Sequence, residues 1–454
     1  GDWSSDVCSS DLLLFYFNWE SFRLNQQSSV NRTVLTDTAR QGIYTYRDTS
    51  GAVRQTNLLQ LMNTSIDPTV QGILGKVPTA DKINNFRLGD SSEALRRNTA
   101  GYSFLSRNNT KRDNLLAKVD FLATTKHTIA GTFSWNQERV DRADQGNDYS
   151  VVPKVYTDTS RPLVSLNWRS APGPRLTNEL RGGFFFSPTQ FITDEEFGPA
   201  IVTGFLFSNP VNTFLNQGRY TDTYSLQDNA SYTTGRHQFQ FGYQYQGIRV
   251  NPYNDAATIP TYTIGIGTGN PAISAAQLPG ISAADLTAAN NLFASLAGYV
   301  TSYTQTFQVK DRTSGFVAGQ GSNRNYKLDN HALYFQDNWK IRPRHTLNMG
   351  VRWDYWSPVD ERDSLFLLPV VGSGQSAEAA LLSTNGTLDF AGGSAGRPYY
   401  NRDLNNFAPN IGLAWDIFGD GRTSLRMGYS ISYVNDEMIT SIGNSIGTND
   451  GLSS

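Results

Sequence analysis

The 454-residue chain has one cysteine, Cys8, four histidines and no apolar run long enough to cross a bilayer as a helix. One cysteine excludes a disulfide framework and a thiolate metal cluster. Of the histidines, His127, His237 and His345 fall at expected turns and His331 at the start of an expected strand; no two have metal-ligand spacing. A formal charge of -2 leaves no basic stripe for nucleic acid. No nucleophile-elbow pattern flanks any serine. Gly265-Ile266-Gly267-Thr268-Gly269 lacks the Lys-Ser/Thr that would open a phosphate-binding helix, so it reads as a turn. No catalytic, cofactor-binding or metal-ligating residue is therefore assigned, and the chain is not expected to be an enzyme. The missing apolar run excludes a transmembrane helix, which needs about 18 apolar residues or more. It leaves a β-barrel open, because barrel strands alternate and average out polar, in keeping with a mean hydropathy of -0.42.

What the chain does have is aromatic and turn-rich: 25 Phe, 22 Tyr and 40 Gly. Leu333, Phe335, Trp339 and Ile341 are apolar at every second place, broken once at Asp337, and interleave with Tyr334, Gln336, Asn338 and Lys340. After Arg342-Pro343-Arg344-His345, Leu347, Met349, Val351, Trp353 and Tyr355 alternate with Thr346, Asn348, Gly350, Arg352 and Asp354. A period of two puts each set on one side of a sheet, here a greasy side and a wet one. The same design recurs around Thr124–His127, Ser170–Pro174, Thr234–Arg236 and Gly419–Gly421, with Gly, Pro or Asp at the reversals. A first strand at Leu14–Phe22 and five hairpins predict eleven strands, the last running to Tyr433.

Short turns alternate strictly with long connections, at about 24–112, 137–160, 188–220, 249–329 and 357–405. Short turns at one end and long loops at the other mark an outer-membrane barrel, with the long loops extracellular. The expected fold class is all-β: a transmembrane antiparallel up-and-down barrel. Within 249–329, Leu286, Ala289, Phe293 and Leu296 at helical spacing after Ser282 predict a short capped helix packed in a loop. The Gly/Ser-rich 357–405 segment reads as a mobile loop. Asp194, Glu195 and Glu196 read as a solvated acidic tip. Trp135, Trp168, Trp339, Trp353 and Trp415, with Tyr429 and Tyr433, are expected as interfacial girdle or lipid-face residues. Lys340, Arg352, Asp354 and Arg426 are expected to face the lumen.

Residues 1–12, Gly1 to Leu12, resemble the in-frame translation of a short-read sequencing adapter and are set aside from fold reasoning. Cys8 goes with them, as do Asp2, Asp6 and Asp11, which moves the formal charge to about +1. The domain expectation is then an adapter-derived segment at 1–12, a partial barrel at 13–433 and a truncated extracellular loop at 434–454.

An ordered set of stretches resembles the Oar-like TonB-dependent receptors of the acidobacterial type. These are Phe15-Tyr16-Phe17-Asn18-Trp19-Glu20-Ser21-Phe22-Arg23, Arg112-Asp113-Asn114 with Lys118-Val119-Asp120, and Gln227-Asp228-Asn229 with Gly235-Arg236-His237-Gln238-Phe239-Gln240-Phe241-Gly242. Tyr334-Phe335-Gln336-Asp337-Asn338-Trp339-Lys340 and Asn405-Asn406-Phe407-Ala408-Pro409-Asn410-Ile411-Gly412-Leu413-Ala414-Trp415-Asp416 complete the set. The resemblance covers nearly all of 14–433. It implies a plugged barrel of about twenty-two strands, of which this chain would hold about half, in the outer membrane of a Gram-negative-type bacterium. Its partners would be outer-membrane lipid, an extracellular ligand of unread identity, and an inner-membrane TonB complex acting through a plug. By the same resemblance, plug, TonB box and a carboxypeptidase-regulatory-like domain are expected upstream of the chain. The function expected is energy-coupled uptake of a large or scarce ligand bound at the five long loops. The rivals are an adhesion or signalling barrel and a soluble, secreted all-β binding module.

Overall fold

The structure, a computed structural model, describes residues 12–434 and 451–454. Its principal element is one antiparallel sheet in which eleven long strands follow one another in chain order. They are β1 Leu13–Leu24, β2 Thr110–Thr124, β3 His127–Asp141, β4 Val155–Gly173, β5 Leu176–Phe186 and β6 Gln217–Thr234. β7 His237–Asn254, β8 Tyr326–Arg342, β9 His345–Trp356, β10 Asn406–Asp416 and β11 Ser424–Ser430 follow. Three short strands, Thr189–Thr193, Ser322–Asn323 and Asp360–Glu361, branch from this wall. The expected first strand and five hairpins are all present, and the fold is an all-β up-and-down wall.

Registers confirm which residues share a face. Leu333 pairs with Trp353, Phe335 with Val351, and Trp339 with Leu347. Phe335 also pairs with Phe241, and Leu333 with Tyr243. The odd-numbered residues of β7, β8, β9 and β10 thus share one outer face, continued by the even-numbered residues of β6; it is apolar toward the short turns and turns polar toward the long loops, at Arg249, Lys327, Asp329 and His331. Phe335 keeps half its surface uncovered by protein, at 49%, as a side chain meant for hydrocarbon should. Four acids lie on this face, Asp222, Asp228, Asp329 and Asp337, and two of them, Asp337 and Asp228, fall among its apolar rows. Asp337 is met by His237, whose Nδ1 lies 2.7 Å from its carboxylate. Asp228 accepts a hydrogen bond of 2.6 Å from Asn178. Each of these two is polar-partnered within the sheet, which lowers the cost of placing it there.

Four of the five short turns have two residues, closed by the pairs Thr124–His127, Gly173–Leu176, Thr234–His237 and Arg342–His345. Gly235 has φ +58°, a left-handed conformation that glycine adopts without Cβ strain.

Several boundaries differ from the sequence reading. The strands run further into the long connections than expected: β4 starts at Val155, β7 ends at Asn254 and β8 starts at Tyr326. Polar residues with good pairing continue a ladder after the apolar alternation has stopped, because above the bilayer neither face needs to be greasy. β11 ends at Ser430, so Ile431 and Tyr433 lie beyond it, although the Ile431 N–H still donates to the Pro409 carbonyl at 3.1 Å. His331 sits inside β8 instead of starting it. The adapter-like residues 1–11 and residues 435–450 lie outside the described residues. Leu12 does join the wall, its carbonyl accepting the Leu122 N–H at 2.7 Å.

Candidate ligand site at the long-loop end

The long connections are folded. Thr36, Asn57 and Asp67 cap short helices at Asp37–Arg40, Leu58–Leu61 and Pro68–Leu74, each through a side-chain oxygen that accepts backbone N–H. The expected helix is α1, Ala283–Ala297, with Ser282 accepting the Asp285 N–H. It ends at Gly298, φ +71°, where a Cβ would strike Asp67 at 2.8 Å. The helix end and the 58–67 turn can therefore pack only with glycine there, and the Asp67 N–H donates to the Leu296 carbonyl at 2.9 Å.

These pieces share one hydrophobic core. Val34, Leu35, Tyr44, Leu58, Leu74 and Ala100 come from the 24–112 connection, Phe207 from 188–220, and Leu278, Leu292, Phe293 and Leu296 from 249–329. Tyr149 of the 137–160 connection packs against the same core. Four of the five loops thus meet in one cap. A half-buried polar contact ties it across the chain: Arg97 bonds Asp285, and the Tyr44 hydroxyl donates to the same carboxylate at 3.3 Å. Burial, with Asp285 beside it, pushes the Tyr44 phenol well above its ordinary range, so it stays a donor.

The fifth connection, 357–405, makes a separate unit. A hairpin of Phe366–Pro369 with Leu388–Ala391 packs through Phe366 and Ala391 on Ile248, Val250, Tyr326 and Leu328 of the wall. Its pivot is Glu361, fully buried, which accepts backbone N–H from Asn325 at 2.8 Å, Asp363 at 3.1 Å and Leu365 at 2.5 Å. Burial raises its carboxyl, while the N–H bonds from Leu365 and Asn325 pull the other way.

A cavity of about 490 Å³ opens between this unit and the wall. Lys327, Asp329, His331 and Tyr355 line one side, and Asp360, Arg397 and Arg402 are among those lining the other. Asp329 is already held by Lys327 at 3.0 Å, Arg249 at 3.0 Å and the Tyr245 hydroxyl at 2.9 Å. Asp360 accepts the Gly393 N–H at 2.7 Å. With Lys327 and both acids engaged, the cavity presents Arg397, Arg402 and the Tyr355 ring, a lining suited to a polar or anionic ligand. Chemically it can bind. Among the described residues no group of three or more His, Cys, Asp or Glu could hold a metal ion.

The lumen-facing expectations agree with the geometry. Arg352 and Asp354 pair at 2.9 Å, and Arg352 reaches Gln244 of β7 at 3.5 Å. Tryptophans fall in two rows. Trp168, Trp339 and Trp415 lie beside the short turns, while Trp19, Trp135 and Trp353 lie toward the long loops. Trp135 and Trp353 donate their indole N–H to Ser160 Oγ at 2.8 Å and the Leu404 carbonyl at 2.9 Å.

A family model described as outer membrane beta barrel domain matches residues 10–451. The chain belongs to this outer-membrane β-barrel family. Membership places it in the outer membrane. Among solved structures it is similar to the outer membrane transporter YddB of Escherichia coli, with 12% identity, 92% of this chain and 38% of that chain covered, and a TM-score of 0.41. It is also similar to the FrpB iron transporter of Neisseria meningitidis, with 10% identity, coverage of 92% and 45%, and a TM-score of 0.37. A third is the ferric-catecholate import receptor Fiu of E. coli, with 13% identity, coverage of 73% and 45%, and a TM-score of 0.35. The chain thus spans less than half the length of these three structures. No curated protein matches.

Sequence reasoning missed the cap core and the Glu361 pivot. The signal for the cap was present in the Asn57-Leu58-Leu59 and Asp67-Pro68 cap patterns. Glu361 carries none, since one acid in a polar loop looks like any other. The acidic tip is exposed at Asp194 and Glu196, as expected, with Tyr156 donating to Asp194 at 3.0 Å; Glu195 is half-buried and accepts the Asn212 N–H at 3.3 Å.

Proposed function

We propose that this barrel is part of an Oar-like TonB-dependent receptor that captures an extracellular ligand at its long loops and passes it inward by energy-coupled conformational change. The observation that carries the reading is the cap. Four long loops spend an apolar core on one preformed structure over one end of the wall, which a passive pore has no need of. The cation- and aromatic-lined cavity of about 490 Å³ beside Tyr355 and Arg402 gives the same end a polar binding surface. In this reading residues 13–433 are barrel wall and loops, 434–454 belong to a further extracellular loop, and 1–12 are adapter-derived. Coupling would come from the TonB complex through a plug in the polar lumen, and no bond chemistry is involved. The ligand-binding residues lie within 24–112, 137–160, 188–220, 249–329 and 357–405.

The test is genetic. The gene for the full-length protein is deleted, and growth is compared on ferric siderophores, glycans and peptides as sole sources, with and without a working TonB. Loss of growth on one source, reproduced by loss of TonB, is expected. Unchanged growth on every source, with a defect in surface attachment instead, would favour the adhesion reading.

A further inference from the structure

The four two-residue turns share a device. Their second residue is basic every time: Lys126, Arg175, Arg236 and Arg344. The carbonyl of each accepts an N–H from the next hairpin along, from Ala171, Thr233 and Lys340 at 2.8 Å and from Asp416 at 2.9 Å. The backbones of the four basic residues are therefore fixed in a row along the periplasmic rim, with their side chains exposed. Two strand widths separate neighbours, roughly 10 Å. That is close to the screening length of about 8 Å at physiological salt, so their potentials overlap. None of these four turns contains a carboxylate. The fifth short turn adds exposed Arg422 against exposed Asp420.

The next residue completes the pattern. In three of the four turns it is a histidine on the outer face, stacked on a tryptophan of the adjacent strand. His127 lies 5.9 Å from Trp168, His237 5.3 Å from Trp339 and His345 5.7 Å from Trp415, between ring centroids. In the fourth, Leu176 is the register partner of Tyr232. Above the His345–Trp415 stack, the same outer face carries an apolar groove of about 590 Å³ lined by Phe239, Phe335, Met349, Val351, Ile411 and Tyr429. Its one carboxylate, Asp337, is the partner of His237.

We propose that this rim binds the head groups of anionic phospholipids in the inner leaflet, one of whose acyl chains lies in the groove. The order from the periplasm upward is cation, amphipathic ring, apolar slot. A phospholipid presents the matching order: phosphate, glycerol backbone, hydrocarbon. Lys and Arg supply charge-assisted donors to phosphate, and the Trp and His rings occupy the interfacial layer between head group and chain. Lipopolysaccharide also carries phosphate, but it occupies the other leaflet, toward the long loops. The inference rests on the barrel fold and its orientation, and is independent of whether the protein transports anything.

The experiment uses the full-length protein in phosphatidylcholine bilayers with spin-labelled phosphatidylglycerol or phosphatidylcholine, reading the motionally restricted fraction of each by electron paramagnetic resonance. The wild type is expected to retain phosphatidylglycerol preferentially. An effect near fivefold per cation follows from the usual attraction of one basic residue to an anionic surface. Lys126→Gln/Arg236→Gln/Arg344→Gln should lose most of that preference, while Lys126→Arg/Arg236→Lys/Arg344→Lys should keep it. Equal retention of the two lipids by the wild type would overturn the proposal, as would an unchanged preference in the glutamine variant or stronger retention of spin-labelled lipid A. Should the glutamine variant not fold, salt decides. A preference that falls in about 0.5 M NaCl supports the belt, and one that persists undiminished overturns it.

Discussion

Closing the sheet is the largest energetic demand on this wall, and the 454-residue chain alone should fail to meet it. Among the described residues β1 pairs only with β2, and β11 only with β10. In an antiparallel ladder every second residue turns both N–H and C=O to one side. The 12 residues of β1 therefore leave about twelve groups facing outward, and the 7 of β11 about seven more. If only half of these lie in hydrocarbon, at about 2 kcal/mol each, the cost is roughly 20 kcal/mol. That exceeds the whole stability of a typical domain, about 5–15 kcal/mol. The perturbation is expression of the 454 residues by themselves. The assay is refolding into short-chain phosphatidylcholine vesicles, read by electrophoretic mobility with and without boiling and by protection from protease. The expectation is no heat-modifiable band and a chain cut throughout. A heat-modifiable, protease-protected monomer would refute the edge argument.

Further expectations concern single side chains, each tested in the full-length protein. Phe335→Arg puts a charge on the outer face and should cost about 2–4 kcal/mol near the bilayer midplane, whereas Gln336→Arg, one residue on and facing the lumen, should leave the urea midpoint of unfolding almost unchanged. Phe293→Ala empties a fully buried position in the cap. It should remove about 3–5 kcal/mol from cap stability, read as faster amide exchange across Ala283–Ala297 with the wall's exchange unaltered. Glu361 gives a pH signature. Its folded-state pKa lies above the ordinary 4.5, so the folded state binds the proton more tightly, and protection of 357–405 should be greatest below about pH 4.5 and decline as pH rises through the raised folded value. Glu361→Gln should flatten that dependence, and protection that increases between pH 4.5 and neutrality would show the sign to be wrong.

The wall was legible because its constraint is local. Period two, a greasy face and a turn every ten or so residues are all visible in a window the size of β8 and β9. The tryptophan rows and the lumen pair Arg352–Asp354 followed from the same alternation. The cap was legible only in part. Ser282 and the Leu286–Leu296 spacing announced α1, but its packing partners Leu58 and Leu74 lie more than 200 residues away in sequence. No window connects them. The row of turn cations escaped notice for another reason: Lys126, Arg175, Arg236 and Arg344 become neighbours only once the sheet places their hairpins side by side.

That difference also orders how the molecule can assemble. The Tyr44–Asp285 contact spans 241 residues. Closing a free loop of that length costs several kcal/mol of chain entropy before any contact forms. The wall removes most of that cost. β1 and β2 hold the ends of the first loop together at Leu24 and Thr110, and the strands between β2 and β7 fix how far the first loop stands from the one that carries α1. Once the sheet exists, the cap has only to pack. A substitution that loosens the wall should therefore unfold the cap with it, while one that empties the cap, such as Phe293→Ala, should leave the wall intact. The loops can then vary in sequence without endangering the barrel.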